Sequence, residues 1–341
     1  MYTNESFCFQ NSTIAHHECS SCSYGPLCQF TTAYYSITSL QTFLCSFESI
    51  PNILLLSILF LGSLCNLFSM GTFCQRSTRE MGSGIYRLWI SIVGQFGLMV
   101  VISHILLEKT HNKTIGCFSM EYLRKALHAL YDSLTACIAC ERTMVIYEGI
   151  SFNKIGSRRV AKLVIPMLFV YHFINILYDP FIRQLNDSSD RSWCILKFND
   201  YSTGIFESAR NIVHFTIPYF LNLILPIFWI ITLTKQKTRL HRTTSTWVNF
   251  RNVIHTYKHT VISCYILVLL NTPRFIFTFY LTCIKQQWQN TAYITAYFLS
   301  MVPFTANLLI FVLLSPKYRP DFFDFIQRIV RYMHRKQYEL T

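Results

Sequence analysis

Seven stretches of mostly apolar residues run through this chain, and each is long enough to cross a membrane as a helix. They lie near residues 51 to 74, 85 to 107, 117 to 146, 160 to 181, 208 to 234, 258 to 284 and 290 to 314. At about 1.5 Å per residue, roughly 20 apolar residues span ~30 Å of hydrocarbon. Only 14% of the 341 residues are charged and 52% are hydrophobic, which is too little charge for a soluble domain. We therefore predict an all-α membrane protein, a seven-transmembrane helix bundle.

Two independent patterns orient the bundle. Acceptor sequences for N-glycosylation occur at Asn4, Asn11, Asn112 and Asn186, which places the N-terminal segment and two alternate loops outside the cell. The opposite face carries 18 Lys and Arg residues against 6 on the glycosylated face, as the positive-inside rule requires. The N-terminus is therefore expected outside and the C-terminus inside. The net charge of +13 then reflects topology, and no nucleic-acid partner is expected.

The chain divides into three predicted regions. Residues 1 to 50 form an extracellular, glycosylated, Cys-rich segment, residues 51 to 314 the transmembrane domain, and residues 315 to 341 the cytoplasmic tail. The N-terminal cysteines are Cys8, Cys19, Cys22, Cys28 and Cys45. Disulfides persist in an oxidising compartment, and an odd number needs a further partner, for which Cys283 is the natural candidate. A zinc site at Cys19 and Cys22 is the less favoured alternative.

The cytoplasmic tail predicts a short amphipathic eighth helix. Pro320 is suited to the first turn of a helix, and apolar residues then recur at helical spacing with basic residues between them. Such a helix lies on the inner leaflet and favours anionic membrane lipids.

A pair of charged residues near the inner end of the third stretch is the best indication of function. An arginine inside a membrane helix costs roughly 2.5 kcal/mol or more unless it is paired or lies at the interface. Arg142 is such a residue, and the neighbouring Glu141 is the obvious partner. The alternative without a signalling role is that the Arg142 side chain snorkels, placing its guanidinium group at the membrane interface.

Several motifs then follow one another on the correct sides of the membrane. They are Gly62-Ser-Leu-Cys-Asn66, Cys117, Glu141-Arg142-Thr143, Cys194, Phe215-Thr-Ile-Pro218, Pro273, Asn307-Leu-Leu-Ile-Phe311 and Tyr318-Arg319. Together they resemble class A (rhodopsin-like) G-protein-coupled receptors, and the departures from the usual motifs resemble the divergent invertebrate peptide and orphan branches, including FMRFamide-type receptors. Helix 2 has no aspartate near Gly94 and Gln95, where most members hold the acid of a sodium site.

The resemblance implies a function. It implies a disulfide between Cys117 and Cys194, a plasma-membrane location, an extracellular ligand and a heterotrimeric G-protein partner. Glu141, Arg142, Pro273 and Asn307 match switch positions of the family, with Pro273 as a kink in helix 6. Activation would move helix 6 outward, exposing an inner cavity in which Arg142 leaves Glu141 for the G protein.

The ligand is predicted from charges in the outer half of the bundle. Arg124 and His128 lie on one face of the third helix, and Arg274 follows the helix 6 proline. Two guanidinium groups favour an acidic ligand, peptide or small molecule, because arginine binds carboxylate or phosphate through paired hydrogen bonds. The alternative is internal pairing of these arginines with Asp132, Asp179 or Glu207.

The remaining function classes have less support. A seven-helix transporter or channel is the main alternative, but no convincing internal repeat relates the two halves. Residues 290 to 314 contain no lysine for retinal, and no catalytic motif is present. We therefore expect neither enzymatic activity nor a cofactor.

Overall fold

The computed structural model describes residues 23–24, 30–31, 35–36, 52–108, 113–187, 192–198, 201–240, 245–280 and 287–340. Several predicted sites lie outside these residues: Asn4, Asn11, Asn112, Cys8, Cys19, Cys22, Cys28, Cys45 and Cys283. Asn186 lies on a strand, opposite Trp193. Glycosylation at the four asparagines stays a prediction.

Eight long helices make up most of the described chain. They are α1 (Asn52–Phe73), α2 (Gly82–Glu108), α3 (Glu121–Glu148), α4 (Lys154–Ile176), α5 (Tyr201–Leu240), α6 (Thr246–Tyr280), α7 (Gln287–Thr305) and α8 (Arg319–Leu340). Short 3₁₀, π or α turns connect or extend them: Thr78–Glu80, Lys113–Ile115, Gly116–Met120, Gly149–Ser151, Asp179–Ile182 and Leu308–Leu313.

The described residues also include five short strands. They are β1 (Ser23–Tyr24), β2 (Phe30–Thr31), β3 (Tyr35–Ser36), β4 (Arg183–Asp187) and β5 (Ser192–Lys197). Strands β1 and β2 pair with each other, and a second antiparallel sheet has the order β3, β5, β4. In that sheet Leu185 faces Cys194. The segment between α4 and α5 therefore forms a β-hairpin. The apolar stretches of the sequence did not predict it.

Three helical segments are long and apolar enough to cross a membrane: Gly82–Leu107, Lys154–Ile182 and Ser202–Arg239. A fourth is counted if Thr246–His259 and Val261–Ile276, which meet at a bend of 70°, form one span. Helix α3 is not among them because charged side chains occur along its length. Within the described residues, the exact number of crossings therefore stays a prediction.

The bend in α6 lies between its two segments rather than at the predicted proline. Pro273 is inside the second segment, more than three helical turns beyond the bend. The first segment of α6, Thr246–His259, thus leaves the axis of the second segment before the proline is reached.

Helix α3 occupies the centre of the bundle. Leu130 and Leu134 are fully buried, and the core around them includes Ile90 of α2 and Phe304 of α7. Helix α4 instead lies at the edge, with many of its apolar side chains exposed. These are Leu163, Met167, Val170, Tyr171 and Ile174. An apolar face of this size is expected where a helix meets lipid.

A network of buried charges ties together the outer ends of α3, α4 and α5. The Asp179 carboxylate lies 2.6 Å from Lys125 Nζ and, through its other oxygen, 2.6 Å from Arg183 Nε. Glu207 lies 2.5 Å from Arg210 Nη2 and 3.8 Å from Lys125 Nζ. Charges taken out of water need partners, and here each carboxylate contacts two cations.

Replacing Asp179 by asparagine tests this network. The variant leaves the buried Lys125 and Arg183 without their shared carboxylate, and breaking a buried ion pair in this way costs about 3–5 kcal/mol. The thermal unfolding midpoint of the purified protein in detergent should fall clearly. Glu148→Gln, which removes an exposed carboxylate at the other end of α3, should leave it nearly unchanged. Equal midpoints for the two variants would contradict the account.

Candidate functional site

The outer end of α3 is joined covalently to the hairpin. Cys117 lies in the π turn that precedes α3, Cys194 lies on β5, and their sulfur atoms form a disulfide. Both residues are fully buried. The disulfide that the family resemblance implies is thus present in the structure. It fixes the hairpin over the outer mouth of the bundle, next to the charge network of Asp179.

The arginine predicted to bind ligand from α3 is engaged inside its own helix. Arg124 Nε and Nη2 lie 2.9 and 2.5 Å from Glu121 Oε2, one turn earlier. Both side chains are buried, and His104 of α2 lies on the far side of the carboxylate, 4.0 Å away. Arg124 thus pairs internally, but with Glu121 rather than with Asp132, Asp179 or Glu207. The spacing of three residues was visible in the sequence and could have identified this pair.

The other two predicted ligand residues lie deeper. His128 Nε2 is 3.5 Å from Asp132 Oδ2, and the His128 ring packs against Phe304 at 5.3 Å. The Arg274 guanidinium stacks over the Phe215 ring at 4.9 Å. His128 and Arg274 therefore approach the same region from α3 and α6, whereas Arg124 is held away by Glu121.

A small cavity lies in this region between α3, α5 and α6. Its volume is about 10 Å³, which is room for about one water molecule. Its walls are Asp132, Phe215, Tyr219, Asn222, Leu267, Val268 and Asn271. None of the three predicted ligand residues forms its wall, and the acidic ligand pocket stays a prediction.

A cluster of polar side chains joins α1, α3, the end of α7 and the residue Asn307 just beyond it in the middle of the bundle. Asn307 Nδ2 donates to Asn66 Oδ1 at 2.8 Å, and Asn66 Nδ2 donates to the Phe304 carbonyl at 2.9 Å. The Tyr131 hydroxyl lies 2.7 Å from Asn307 Oδ1 and 3.0 Å from the Pro303 carbonyl. We call Asn66, Tyr131 and Asn307 the central polar cluster.

Gly94 on α2 explains why an acid is absent beside this cluster. A Cβ atom on Gly94 would lie 2.6 Å from Asn307 Nδ2 and 3.2 Å from the Phe304 carbonyl oxygen. Asn307 thus occupies the space into which any larger residue at position 94 would project. The departure seen in the sequence is a packing requirement of this bundle.

The inner end of α3 differs from the sequence interpretation. Glu141 does not pair with Arg142: its Oε1 accepts a hydrogen bond from the Ser157 hydroxyl of α4 at 2.7 Å. Adjacent residues on a helix point in different directions and do not face each other. Arg142 Nη2 instead donates to the Tyr318 hydroxyl at 3.2 Å.

Tyr318, directly before α8, connects α3 with the tail and is not among the site residues predicted from the sequence. Arg87 Nη1 of α2 donates to the same hydroxyl at 2.7 Å, and its guanidinium lies 4.7 Å above the ring. The sequence marked Tyr318 only as the beginning of the eighth helix. Its contact with Arg142 joins residues 176 positions apart, and no local pattern reveals such a contact.

Comparison with known families decides the identity of this bundle. The family described as 7 transmembrane receptor (rhodopsin family) matches residues 88–311. The chain belongs to the rhodopsin family of seven-transmembrane receptors. No curated protein matches it significantly.

Family membership places this receptor in a class of multi-pass membrane proteins that are generally not enzymes. The family in general has an extracellular ligand and couples to an intracellular G protein. The match is to the family as a whole, so the invertebrate peptide-receptor branch stays a prediction.

Gly94→Ala tests the central polar cluster of the receptor. The added methyl group would have to displace the Asn307 amide, and overpacking of this kind costs about 1–3 kcal/mol. We expect a lower thermal unfolding midpoint than for Gly116→Ala, whose Cβ would meet the nearest atom, in His104, at 3.4 Å. Both variants gain the same methyl group, so an equal effect in the two would contradict the close approach at Gly94.

Proposed function

We propose that this receptor binds an extracellular ligand at the plasma membrane and activates a heterotrimeric G protein through outward movement of α6. The proposal includes seven crossings within residues 51 to 314, an outer glycosylated segment of residues 1 to 50, and an inner tail of residues 315 to 341. The observation that carries it is the state of Arg142. Its guanidinium is half-buried at the inner end of the central helix and is held by a hydroxyl group rather than by a carboxylate.

The contacts of α6 support movement of its inner part. On the α5 side, Trp229 packs edge-on against Tyr257 at 5.7 Å and buries Val253. On the α7 side, the Ser263 hydroxyl donates to the Ile310 carbonyl at 2.8 Å. The bend of 70° between His259 and Val261 separates the apolar α5 contact from this hydrogen bond. An outward swing of the inner segment would therefore leave Tyr257 and Val253 packed against Trp229 of α5.

The tail helix α8 supports the membrane placement. Its Phe322 ring packs edge-on against Phe68 of α1 at 6.2 Å, and Phe325 occupies the space beside Gly71, where a Cβ would lie 2.1 Å from the ring. Arg328 Nη2 donates to Gln75 Oε1 at 3.1 Å. An apolar face against α1 with basic residues beside it suits a helix on an anionic inner leaflet.

The charges at the outer mouth favour an acidic ligand, peptide or small molecule. Among the described residues, the buried network there joins three cations, Lys125, Arg183 and Arg210, to the two carboxylates of Asp179 and Glu207. Arg274 adds a guanidinium deeper in the bundle. Nothing in the geometry of the described residues favours the transporter or channel alternative.

The decisive variant is Arg142→Ala. Hydrogen bonds to a charged group are worth about 1.5–3 kcal/mol, so losing the contact that Arg142 makes to the G protein should reduce nucleotide exchange about tenfold or more. Exchange is measured in vesicles with a panel of purified G proteins, first without agonist and then with pools of synthetic acidic peptides. Arg159→Ala, which removes an exposed guanidinium near the inner end of α4, should behave as the native receptor.

Two outcomes would contradict the proposal. One is that the native receptor reaches the cell surface but stimulates exchange on no G protein under either condition. The other is that Arg142→Ala and Arg159→Ala reduce exchange equally, since a general loss of positive charge would then explain the effect.

A further inference from the structure

Helix α6 offers no acidic side chain to Arg142. Residues 246 to 280 contain neither Asp nor Glu. Glu141, the nearest carboxylate in the sequence, is turned toward α4, where the Ser157 hydroxyl donates to it and also accepts from the Gly82 amide at 3.1 Å. The resting position of Arg142 is therefore not fixed by an ion pair with either of these partners.

Tyr318 is held rigidly and can position Arg142 in place of an acidic side chain. It is 1% exposed, its ring meets Phe73 of α1 edge-on at 5.3 Å, and Arg87 of α2 covers its face at 4.7 Å. Lys317 Nζ lies 5.5 Å from the same ring. The hydroxyl group is thus held at one point between α1, α2 and α3. At that point Arg142 meets it.

The electrostatics of this contact make it releasable. Two guanidinium groups, those of Arg87 and Arg142, donate to one phenol oxygen, and the Nε atoms of both are buried without a hydrogen-bond partner. Burial raises the pKa of Tyr318, but the cations of Arg87, Arg142 and Lys317 outweigh it and lower the pKa to about 8. The three cations therefore favour a negative charge at the phenol oxygen. A neutral phenol carries only a partial negative charge there.

We infer that Tyr318 is the positioning residue for Arg142, holding it in the resting receptor until the hydrogen bond between them breaks. The inference rests on the proposed function, because Arg142 must have a second partner on the G protein. Since one hydrogen bond from a charged donor is weaker than a buried ion pair, a modest binding energy is enough to shift the population toward the released state.

Tyr318→Phe tests the inference because it removes one oxygen atom and keeps the ring between Phe73 and Arg87. Basal nucleotide exchange, measured without agonist in vesicles with the G-protein panel, should rise about tenfold, the change expected for about 1.4 kcal/mol. Tyr332→Phe is the matched control, since Tyr332 is an exposed tyrosine of α8, and should leave exchange at the native value. Tyr318→His restores a hydrogen-bonding atom on a ring and should return exchange toward the native value.

A second readout separates the inference from the proposed function. Amide hydrogen exchange in Thr246–His259, the inner segment of α6, needs no G protein and should become faster in Tyr318→Phe if releasing Arg142 loosens the inner end of the bundle. Faster amide exchange without any nucleotide exchange would support Tyr318 as the positioning residue while contradicting G-protein coupling.

Three outcomes would overturn the inference. The first is unchanged amide and nucleotide exchange in Tyr318→Phe. The second is an equal response in Tyr332→Phe. The third is a fall in basal nucleotide exchange, because the hydroxyl would then be needed in the active state. If Tyr318→Phe lowers the unfolding midpoint too far for assay, Arg142→Gln removes the guanidinium that donates to the same hydroxyl and should likewise make amide exchange in Thr246–His259 faster.

Discussion

Polar atoms buried inside a membrane bundle find no water and must be satisfied by other protein atoms. The central polar cluster shows how this constraint shapes the receptor. Asn66, Tyr131 and Asn307 use one another and two backbone carbonyls as partners. Gly94 is small because the Asn307 amide needs its space. The cluster thereby holds α1, α3 and the end of α7 together, and α2 packs closely against it at Gly94. The two ends of the bundle are held differently from this middle.

The two ends use different chemistry. The outer end is held by a disulfide and by carboxylates that each contact two cations. Removing one partner of such a pair is costly, so this end resists rearrangement. At the inner end, Arg142 donates to the hydroxyl of Tyr318, and Glu141 is bound by a serine of α4. Individual hydrogen bonds of this kind can be exchanged for new ones at small cost, as a switch requires.

Part of this arrangement was visible in the sequence. The pairing of Cys117 with Cys194 followed from the family resemblance, and the helices followed from the apolar stretches. The pairing of Arg124 with Glu121 was missed because only Asp132, Asp179 and Glu207 were predicted as its partners, although a residue three positions away lies on the same helix face. The Glu141 interpretation failed for the related reason that adjacent residues diverge. The contacts of Tyr318 could not have been found, because they depend on how the segment just before α8 packs against α1, α2 and α3.

The central claim is that Arg142 is held by Tyr318 and not by Glu141, and a double-mutant cycle tests it most directly. The unfolding free energy is measured for the native receptor, Arg142→Gln, Tyr318→Phe and the double variant, and the same cycle is repeated with Glu141→Gln in place of Tyr318→Phe. We predict a coupling energy of about 0.5–1.5 kcal/mol between Arg142 and Tyr318 and almost none between Arg142 and Glu141. Additive effects at Tyr318 together with coupling at Glu141 would contradict the account.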